Sequence, residues 1–510
     1  MQITSLSGKK LLALLLSLLI IALCGIVYEL LIGTISSYLL GNSVYQFSIT
    51  IGLFMFSMGL GSLITKKLNE NYLQNFIFIE ILIAFFGGVS GIVLFTVFPY
   101  LRIFYELSMY LLIIIIGCLV GMEIPILTSL ISKYRNTKNA IAEVMSFDYV
   151  GALLGSVIFP LILLPTLGLM HTSFLIGLMN ALVAITTLII FRKDVPRFKP
   201  LFYICIITIV MLVTGNLLGG YLTRFAEKNL YFDQIIFSKQ SDYQKIVVTS
   251  AKKFKDHRLF IDGHIQFSSK DEYRYHEFLV HPIMSLKGKV EDVLVLGGGD
   301  GLPIREITKY KNVKLIDVVD IDPVMTDLGK NLYILKQINN NSMQDERVTI
   351  YNQDAFIFLN KNGKKYDRVI IDLPDPHNEA LSKLYSKEFY TIIKKRLKPD
   401  GILVTQSSSP FFSKRTFWCI NRTINEVFKT TVPYNISLPS FGIWGFNLAS
   451  NRNLNTKNLK WDFSVDTRSI TPKAMKKALI FEKDLKKIPV SINTIFRPIL
   501  TQLYNRDLSD

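Results

Sequence analysis

The sequence predicts an α-helical transmembrane bundle followed by an α/β unit, and three observations point there. The first 222 of the 510 residues are long apolar runs with charge confined to short gaps. The remainder mixes charges, turns and alternating apolar residues as a water-facing unit does. Within that remainder several short apolar strands end in acids, and the first of them runs into a glycine cluster. A chain of this length exceeds one ordinary core, and the change in composition places the boundary at Tyr221–Glu227.

Seven runs have membrane length, over 11–33, 44–65, 75–97, 104–132, 146–170, 172–191 and 200–222. The first is too long for a signal-peptide core and lacks a small-residue cleavage site after it, so it reads as a retained helix. Lys9 and Lys10, Lys66 and Lys67, Lys133, Arg135 and Lys138, then Arg192, Lys193, Arg197 and Lys199 fall in every second gap, whereas the opposite loops carry little beyond Arg102. The positive-inside rule assigns the basic gaps to the cytoplasm. Seven crossings would then carry the second half to the other face of the cell membrane; the last run, with Asn216, Gly219 and Gly220, is the weakest span and a candidate for a re-entrant segment.

Glu29, Glu80 and Glu123 lie inside apolar runs and Asp148 at a helix edge. Carboxylates are costly there, so each marks either a site for a cationic ligand or a hydrogen bond to a neighbouring helix. Glu123 is the most site-like, because Pro125 loosens the helix around it. The formal charge of +17 would suit nucleic acid, but the basic residues of the first half read as topology. Lys473, Lys476, Lys477, Lys483, Lys486 and Lys487 are spread over the tail as a solvated or membrane-facing surface, and no nucleic-acid partner is expected. Cys24, Cys118 and Cys205 sit in apolar runs and Cys419 stands apart, a pattern that predicts neither a disulfide framework nor a metal site.

The second half carries the chemistry. Val293–Leu296 is an apolar strand entering Gly297, Gly298 and Gly299, then Asp300, with a helix beginning near Pro303. Glycines there let a ligand approach the backbone, and Asp300 places a carboxylate at the strand's carboxyl end. The next strand, 314–319, ends in Asp320-Ile-Asp322, where an acid takes both ribose hydroxyls of an adenosine. A third strand, 348–351, leads to Asp354 and Ala355, the usual place for a contact to adenine. Three strand-end acids without a pyrophosphate cradle indicate an adenosyl ligand in a Rossmann-like, doubly wound sheet. The fourth strand delivers Asp372 and, across Leu373-Pro374, Asp375. Two carboxylates three residues apart suit a cationic amine: one holds the ammonium, the other takes the proton as nitrogen attacks carbon beside a sulfonium.

With these blocks in order, the chain from Tyr231 onward resembles the spermidine and spermine synthase family, in a membrane-bound, multi-pass branch. The resemblance rests on Tyr243-Gln244, Leu259 to Gln266, Asp271 to Glu277, Gly297 to Gly301, Asp320, Asp354-Ala355, Asp372 to Pro376 and Tyr385 to Tyr390. It implies a small β-hairpin subdomain over 223–289, including Asp271 to Glu277, before a class I methyltransferase-like catalytic domain over 290–510 that ends in strands around Trp444 to Ala449 and a helical tail from Thr471. It further implies that Gln244, His276, Asp300, Asp320, Asp354 and Ala355 bind decarboxylated S-adenosylmethionine as co-substrate. Tyr275, Asp372 and Asp375 would surround the acceptor amine, Asp372 as proton acceptor, with putrescine the default acceptor and no tightly bound cofactor or metal. Soluble relatives commonly form homo-oligomers, and the substrates of such an enzyme place the catalytic half in the cytoplasm.

Several positions depart from the pattern of that family. His276 stands where some members have glutamine, Asp320 where glutamate is common, Leu302 where a glycine is usual, and Leu373-Pro374 where small hydroxyl residues occur. The family's substrate tyrosine aligns near Pro439, and Tyr434 is a candidate replacement for its hydroxyl. An S-adenosylmethionine-dependent methyltransferase would share the sheet and the adenosyl site, but it gains little from paired acids or from the block holding Gln244, Tyr275 and His276. A polyamine transporter or sensor draws support from the intramembrane acids. The presence of all five strand-end acids favours an active enzyme.

Overall fold

The computed structural model describes residues 8–40, 43–133, 136–231, 233–454 and 459–509, which leaves Arg135 outside the described residues. The chain divides into two compact units between 232 and 233, later than the composition suggested, because the last helix of the first unit continues to Leu230.

The first unit consists of α1 (Gly8–Leu40), α2 (Ser43–Ile64), α3 (Tyr72–Tyr100), α4 (Tyr105–Ile131), α5 (Thr137–Ile158), α6 (Leu164–Ile190), α7 (Phe198–Leu217) and the amphipathic α8 (Gly219–Leu230). Six helical segments are apolar and long enough to cross a membrane, and the longest of them, Thr137–Ile190, has 54 residues and holds both α5 and α6. Gly168 breaks that segment with φ +71°, a conformation a side chain resists. α5 lays Gly151 on Leu19 and Gly155 on Leu23, so it runs with α1. α6 runs against α1: Tyr28 donates to Asn180 (3.2 Å), and Lys10 pairs with Asp194 beyond the end of α6 (3.1 Å). The 54 residues therefore fold back as two helices, and among the described residues seven apolar helices alternate in direction.

The basic gaps gather at one end of this bundle, where the Lys133 ammonium lies 4.8 Å from the centre of the Tyr72 ring. α7 finishes at the other end, where His171 Nδ1 meets Asn216 Oδ1 at 3.0 Å. It is uninterrupted and stops at Leu217, so Gly219 and Gly220 open α8 and no re-entrant loop forms there. Among the acids, Glu80 is buried and accepts a hydrogen bond from Asn180 (2.8 Å) and shares one with Glu123, contacts that tie neighbouring helices together. Glu29 is also buried, and Asp148 is half-buried on α5.

The second unit opens with β1 (Gln234–Gln240), β2 (Lys245–Ala251), β3 (Asp256–Ile261) and β4 (His264–Ser268), an antiparallel sheet in sequence order. α9 (Glu272–Ser285) follows, so Asp271 to Glu277 belongs to a helix start and not to the hairpin region the resemblance implied. Then come β5 (Asp292–Gly297), α10 (Leu302–Thr308), β6 (Leu315–Asp320), α11 (Pro323–Asn331), α12 (Tyr333–Ile338), β7 (Val348–Asn352) and α13 (Ala355–Lys361). β8 (Tyr366–Asp372), α14 (Glu379–Ser382), α15 (Lys387–Arg396), β9 (Leu397–Gln406), α16 (Lys414–Asn425), β10 (Thr430–Leu438) and β11 (Gly442–Ser450) complete the sheet. Its order is β10-β11-β9-β8-β5-β6-β7; the strands from β5 to β9 are parallel and β11 is antiparallel to both neighbours. Both faces are covered, which is why Val293–Leu296 and Val369–Ile371 are fully buried apolar runs. The tail is helical only at α17 (Pro472–Ala478) and α18 (Leu500–Ser509), with irregular backbone between them apart from a short turn, a correction to the fully helical tail expected.

Strand order reverses between β5 and β8, so a crevice opens at their carboxyl ends. α9, which points two side chains into that crevice, is fixed at its far end by Arg368 of β8. The buried guanidinium donates to the carbonyls of Ile283 (2.6 Å), Leu286 (2.9 Å) and Asp367 (2.9 Å), capping the last turn of α9. Burial pushes its pKa down to about 10, which still leaves it charged at neutral pH. Replacing Arg368 by Met would strand those carbonyls in the core. We expect a loss of ~2–4 kcal/mol, seen as a lower thermal midpoint for the second unit in detergent; an unchanged midpoint would show that α9 is held elsewhere.

Candidate active site

The carboxyl ends of the parallel strands and the β3–β4 hairpin enclose a cavity of about 500 Å³. All nine residues singled out from the sequence line it: Gln244, Tyr275, His276, Asp300, Asp320, Asp354, Ala355, Asp372 and Asp375. Its shape follows from the glycine turn after β5. Gly297 has φ +84°, and a Cβ there would strike the carbonyl of Asp372 on the neighbouring strand. At Gly299 a Cβ would lie 2.6 Å from Asp320 Oδ2, which instead accepts the Gly299 N–H at 3.1 Å. Leu302, placed where a glycine is usual in the family, is fully buried at the first turn of α10 and packs in the cluster formed by Ile246, Leu259 and Phe267.

Asp320 also accepts from the Asp322 N–H (2.9 Å). Asp322 caps α11 through Val324 N–H (2.9 Å) and takes hydrogen bonds from Ser241 (2.7 Å) and Gln244 Nε2 (2.9 Å), which ties the β1–β2 turn to the sheet. Asp354 caps α13 through Phe356 N–H (2.7 Å) and pairs with Lys383 (2.8 Å). Burial works against its charge, but Lys383 and the capping N–H groups prevail and hold its pKa below the usual carboxylate range.

The same cavity holds the paired acids. Tyr275 on α9 donates to Asp372 Oδ1 at 2.7 Å. His276 Nε2 lies 4.0 Å from Asp372 Oδ2, while its Nδ1 meets Glu272 Oε2 at 2.9 Å. Arg305 grips both oxygens of Glu272, at 2.8 and 2.9 Å. Burial disfavours the imidazolium, yet Glu272, Asp372 and Asp300 together raise the His276 pKa. Asp375 accepts from Tyr504 (3.1 Å), Ser408 (3.3 Å) and, at the limit of hydrogen bonding, Gln406 Nε2 (3.5 Å). The turn between the acids is clamped: Tyr385 Oη donates to the carbonyl of Pro374 (2.9 Å), and Gln406 Nε2 donates to that of Leu373 (2.6 Å).

Burial pushes Asp300, Asp320 and Asp375 up to about 6 and raises Asp372 as well, against the pull of His276 and Tyr275. Acids poised in this way in a cleft favour a cationic ligand that restores their charge. Sequence reasoning missed Gln406, Ser408 and Tyr504, all of which line the cavity. The first two follow β9 as polar residues at a strand end and were legible as such. Tyr504 comes from a helix 129 positions away from Asp375, with no local signal. Tyr434 does not supply the missing hydroxyl: fully buried, it donates to the carbonyl of Phe278 at 2.8 Å.

Comparison with known proteins fits this geometry. Residues 272–460 match the spermine/spermidine synthase domain. The chain is 42% identical to the polyamine aminopropyltransferase of Leptospira interrogans, covering 97% of this chain and 98% of the relative. It is 39% identical to that of Oceanobacillus iheyensis, covering 96% of each. A solved spermidine synthase from Thermotoga maritima is 26% identical over 49% of this chain and 87% of its own, with a TM-score of 0.46. The chain is thus an enzyme of the aminopropyltransferase class. More particularly, the chain belongs to the spermine/spermidine synthase family, and the likeness to its relatives extends through both units.

A carboxyl group whose folded pKa is near 6, against 3.8 when solvated, weakens the fold as pH rises between those values, and the penalty is complete above 6. Asp300→Asn keeps the acceptor for Leu302 N–H and removes that penalty. The ligand-free variant should therefore exceed the wild type at pH 8 by up to ~3 kcal/mol, with the gap closing towards pH 5. Thermal unfolding across that range checks it, and a pH-independent difference would contradict it.

Proposed function

We propose that the enzyme transfers the aminopropyl group of decarboxylated S-adenosylmethionine to putrescine, giving spermidine and methylthioadenosine. The observation that supports this most is the Asp372–Asp375 pair at the end of β8, in the same cavity as Asp320 and Asp354. Gln244, His276, Asp300, Asp320 and the Asp354–Ala355 step hold the donor. Tyr275, Asp372 and Asp375 surround the amine.

The diamine arrives as a dication and must lose a proton before it can attack. Asp372 takes that proton, with Tyr275 fixing one of its oxygens so that the other faces the nitrogen. The amine lone pair then forms a bond to the methylene next to sulfur as the carbon–sulfur bond breaks, and the sulfonium becomes the neutral thioether of methylthioadenosine. Asp375 keeps the remaining ammonium in place. No covalent intermediate is needed, because the catalytic effect comes from alignment and from carboxylates placed beside positive charge. Asp372→Asn should reduce turnover by at least ~10²-fold while methylthioadenosine still binds within about threefold of wild type; near-normal turnover would remove Asp372 from the role.

The division of labour that accompanies this reading makes the first unit, through 232, a multi-pass membrane part, β1–β4 the hairpin subdomain in place of the 223–289 expected, and the chain from α9 onward the catalytic domain. Outward-facing Met55 (65% exposed), Leu107 (63%), Leu153 (63%) and Ile207 (67%) support a lipid-facing surface, since water would disfavour such a girdle. The supply of the donor assigns the catalytic half to the cytoplasmic face. With seven crossings this turns the basic end outward, against the positive-inside tendency, so the side must be measured. In intact cells a cysteine introduced by Lys486→Cys should resist a membrane-impermeant thiol reagent until the cells are opened; labelling of intact cells would place the catalytic half outside.

A further inference from the structure

The acceptor end of the cavity is closed by a part of the chain that lies outside the sequence blocks of the catalytic sheet. α18 places Leu500, Tyr504 and Leu508 on one face at helical spacing. Leu500 is fully buried, whereas Tyr504 and Leu508 line the cavity. The helix is seated firmly: Asp507 accepts from Thr416 N–H (3.0 Å) and Oγ1 (3.1 Å) and from Arg415 (3.1 Å). The irregular segment before it is latched by Asn493, whose N–H donates to Thr423 (2.9 Å), whose side-chain amide donates to the Ser382 carbonyl (2.8 Å) and whose own carbonyl accepts from Lys387 N–H (2.9 Å).

Pro439, close to which the resemblance places the family's substrate tyrosine, is not among the residues that line the cavity, and Tyr434 spends its hydroxyl on the core. We propose that Tyr504 takes over that office from the C-terminal helix: its hydroxyl orients Asp375 towards the ammonium of the acceptor, and its ring forms the wall that limits acceptor length. Its contact supports this, because Tyr504 is 7% exposed and its phenol donates to Asp375 Oδ2 at 3.1 Å. Burial, with the Asp375 charge adding to it, raises the phenol's pKa and keeps it a donor. Among the described residues, the Asp375 carboxylate has only Ser408 at 3.3 Å and Gln406 at 3.5 Å besides. Tyr504 is a positioning and specificity residue, distinct from the proton acceptor Asp372.

This inference rests on the aminopropyl-transfer reading, and the test separates the two. Full-length wild type, Tyr504→Phe and Tyr504→Ala are assayed in detergent with decarboxylated S-adenosylmethionine and α,ω-diamines of three, four and five carbons, and with spermidine. Loss of one hydrogen bond to a charged group should raise the diamine KM of Tyr504→Phe about tenfold. Its kcat and its affinity for methylthioadenosine should stay within about twofold. Without the phenol Asp375 is easier to protonate, so the acid limb of the amine KM should move to higher pH. Tyr504→Ala should shift preference towards the longer amines. Wild-type amine KM and wild-type length preference in the two variants overturn the inference alone. An equal loss of donor and amine binding overturns it too, because it would mean only that the helix had loosened. A wild-type protein that transfers no aminopropyl group to any amine overturns the reading beneath and the inference with it.

Discussion

The structure of the second unit depends on holding carboxylates out of water along one sheet edge without giving them permanent cations. Asp300, Asp320, Asp372 and Asp375 all line one cavity, and for each the largest influence is burial, which disfavours the charged form. The partners supplied by the protein are mostly neutral donors: backbone N–H groups for Asp300 and Asp320, and hydroxyls and an amide for Asp375. Among the described residues only His276 brings positive charge near Asp372, and at 4.0 Å it is held chiefly by Glu272. Such an edge is incomplete by itself. A cationic ligand would supply what the protein withholds, and binding energy and alignment would then come from the same charges.

Maintaining that arrangement requires stiffness behind it. α9 carries Tyr275 and His276, and its carboxyl end is capped by the buried Arg368 of β8, the strand that also delivers Asp372. Glu277, one residue further along α9, accepts N–H groups of Arg468, Ser469 and Ile470, which anchors the same helix to the chain that follows β11. The Leu373-Pro374 turn is clamped by Tyr385 and Gln406.

Much of this was legible in the sequence because the relevant features are local. A strand that ends in glycines and an acid, or an acid three residues from another across a proline, reports its geometry within a few positions; the five strand-end acids and Ala355 line one cavity with Gln244, Tyr275 and His276, which only the family resemblance singled out. The apolar runs likewise revealed the helices, although the fold-back was placed at 171 and the bend lies at Gly168, inside an uninterrupted apolar stretch where hydropathy has no contrast. The errors came where structure is decided at long range. Asp271 to Glu277 begins a helix packed on the sheet, and the tail from Thr471 is largely irregular because side chains such as Asn493 satisfy its backbone. Tyr504 was unreadable for the same reason: its function depends on where α18 docks, and docking is set by Asp507 against the start of α16.

The central claim is that buried acids partly protonated near pH 6 are recharged by a cationic donor. Calorimetric titration with decarboxylated S-adenosylmethionine at pH 6, repeated in buffers of different ionisation enthalpy, counts the protons exchanged on binding. The account requires net proton release that exceeds the release caused by neutral methylthioadenosine and fades by pH 8. Equal proton exchange for the two ligands would contradict it.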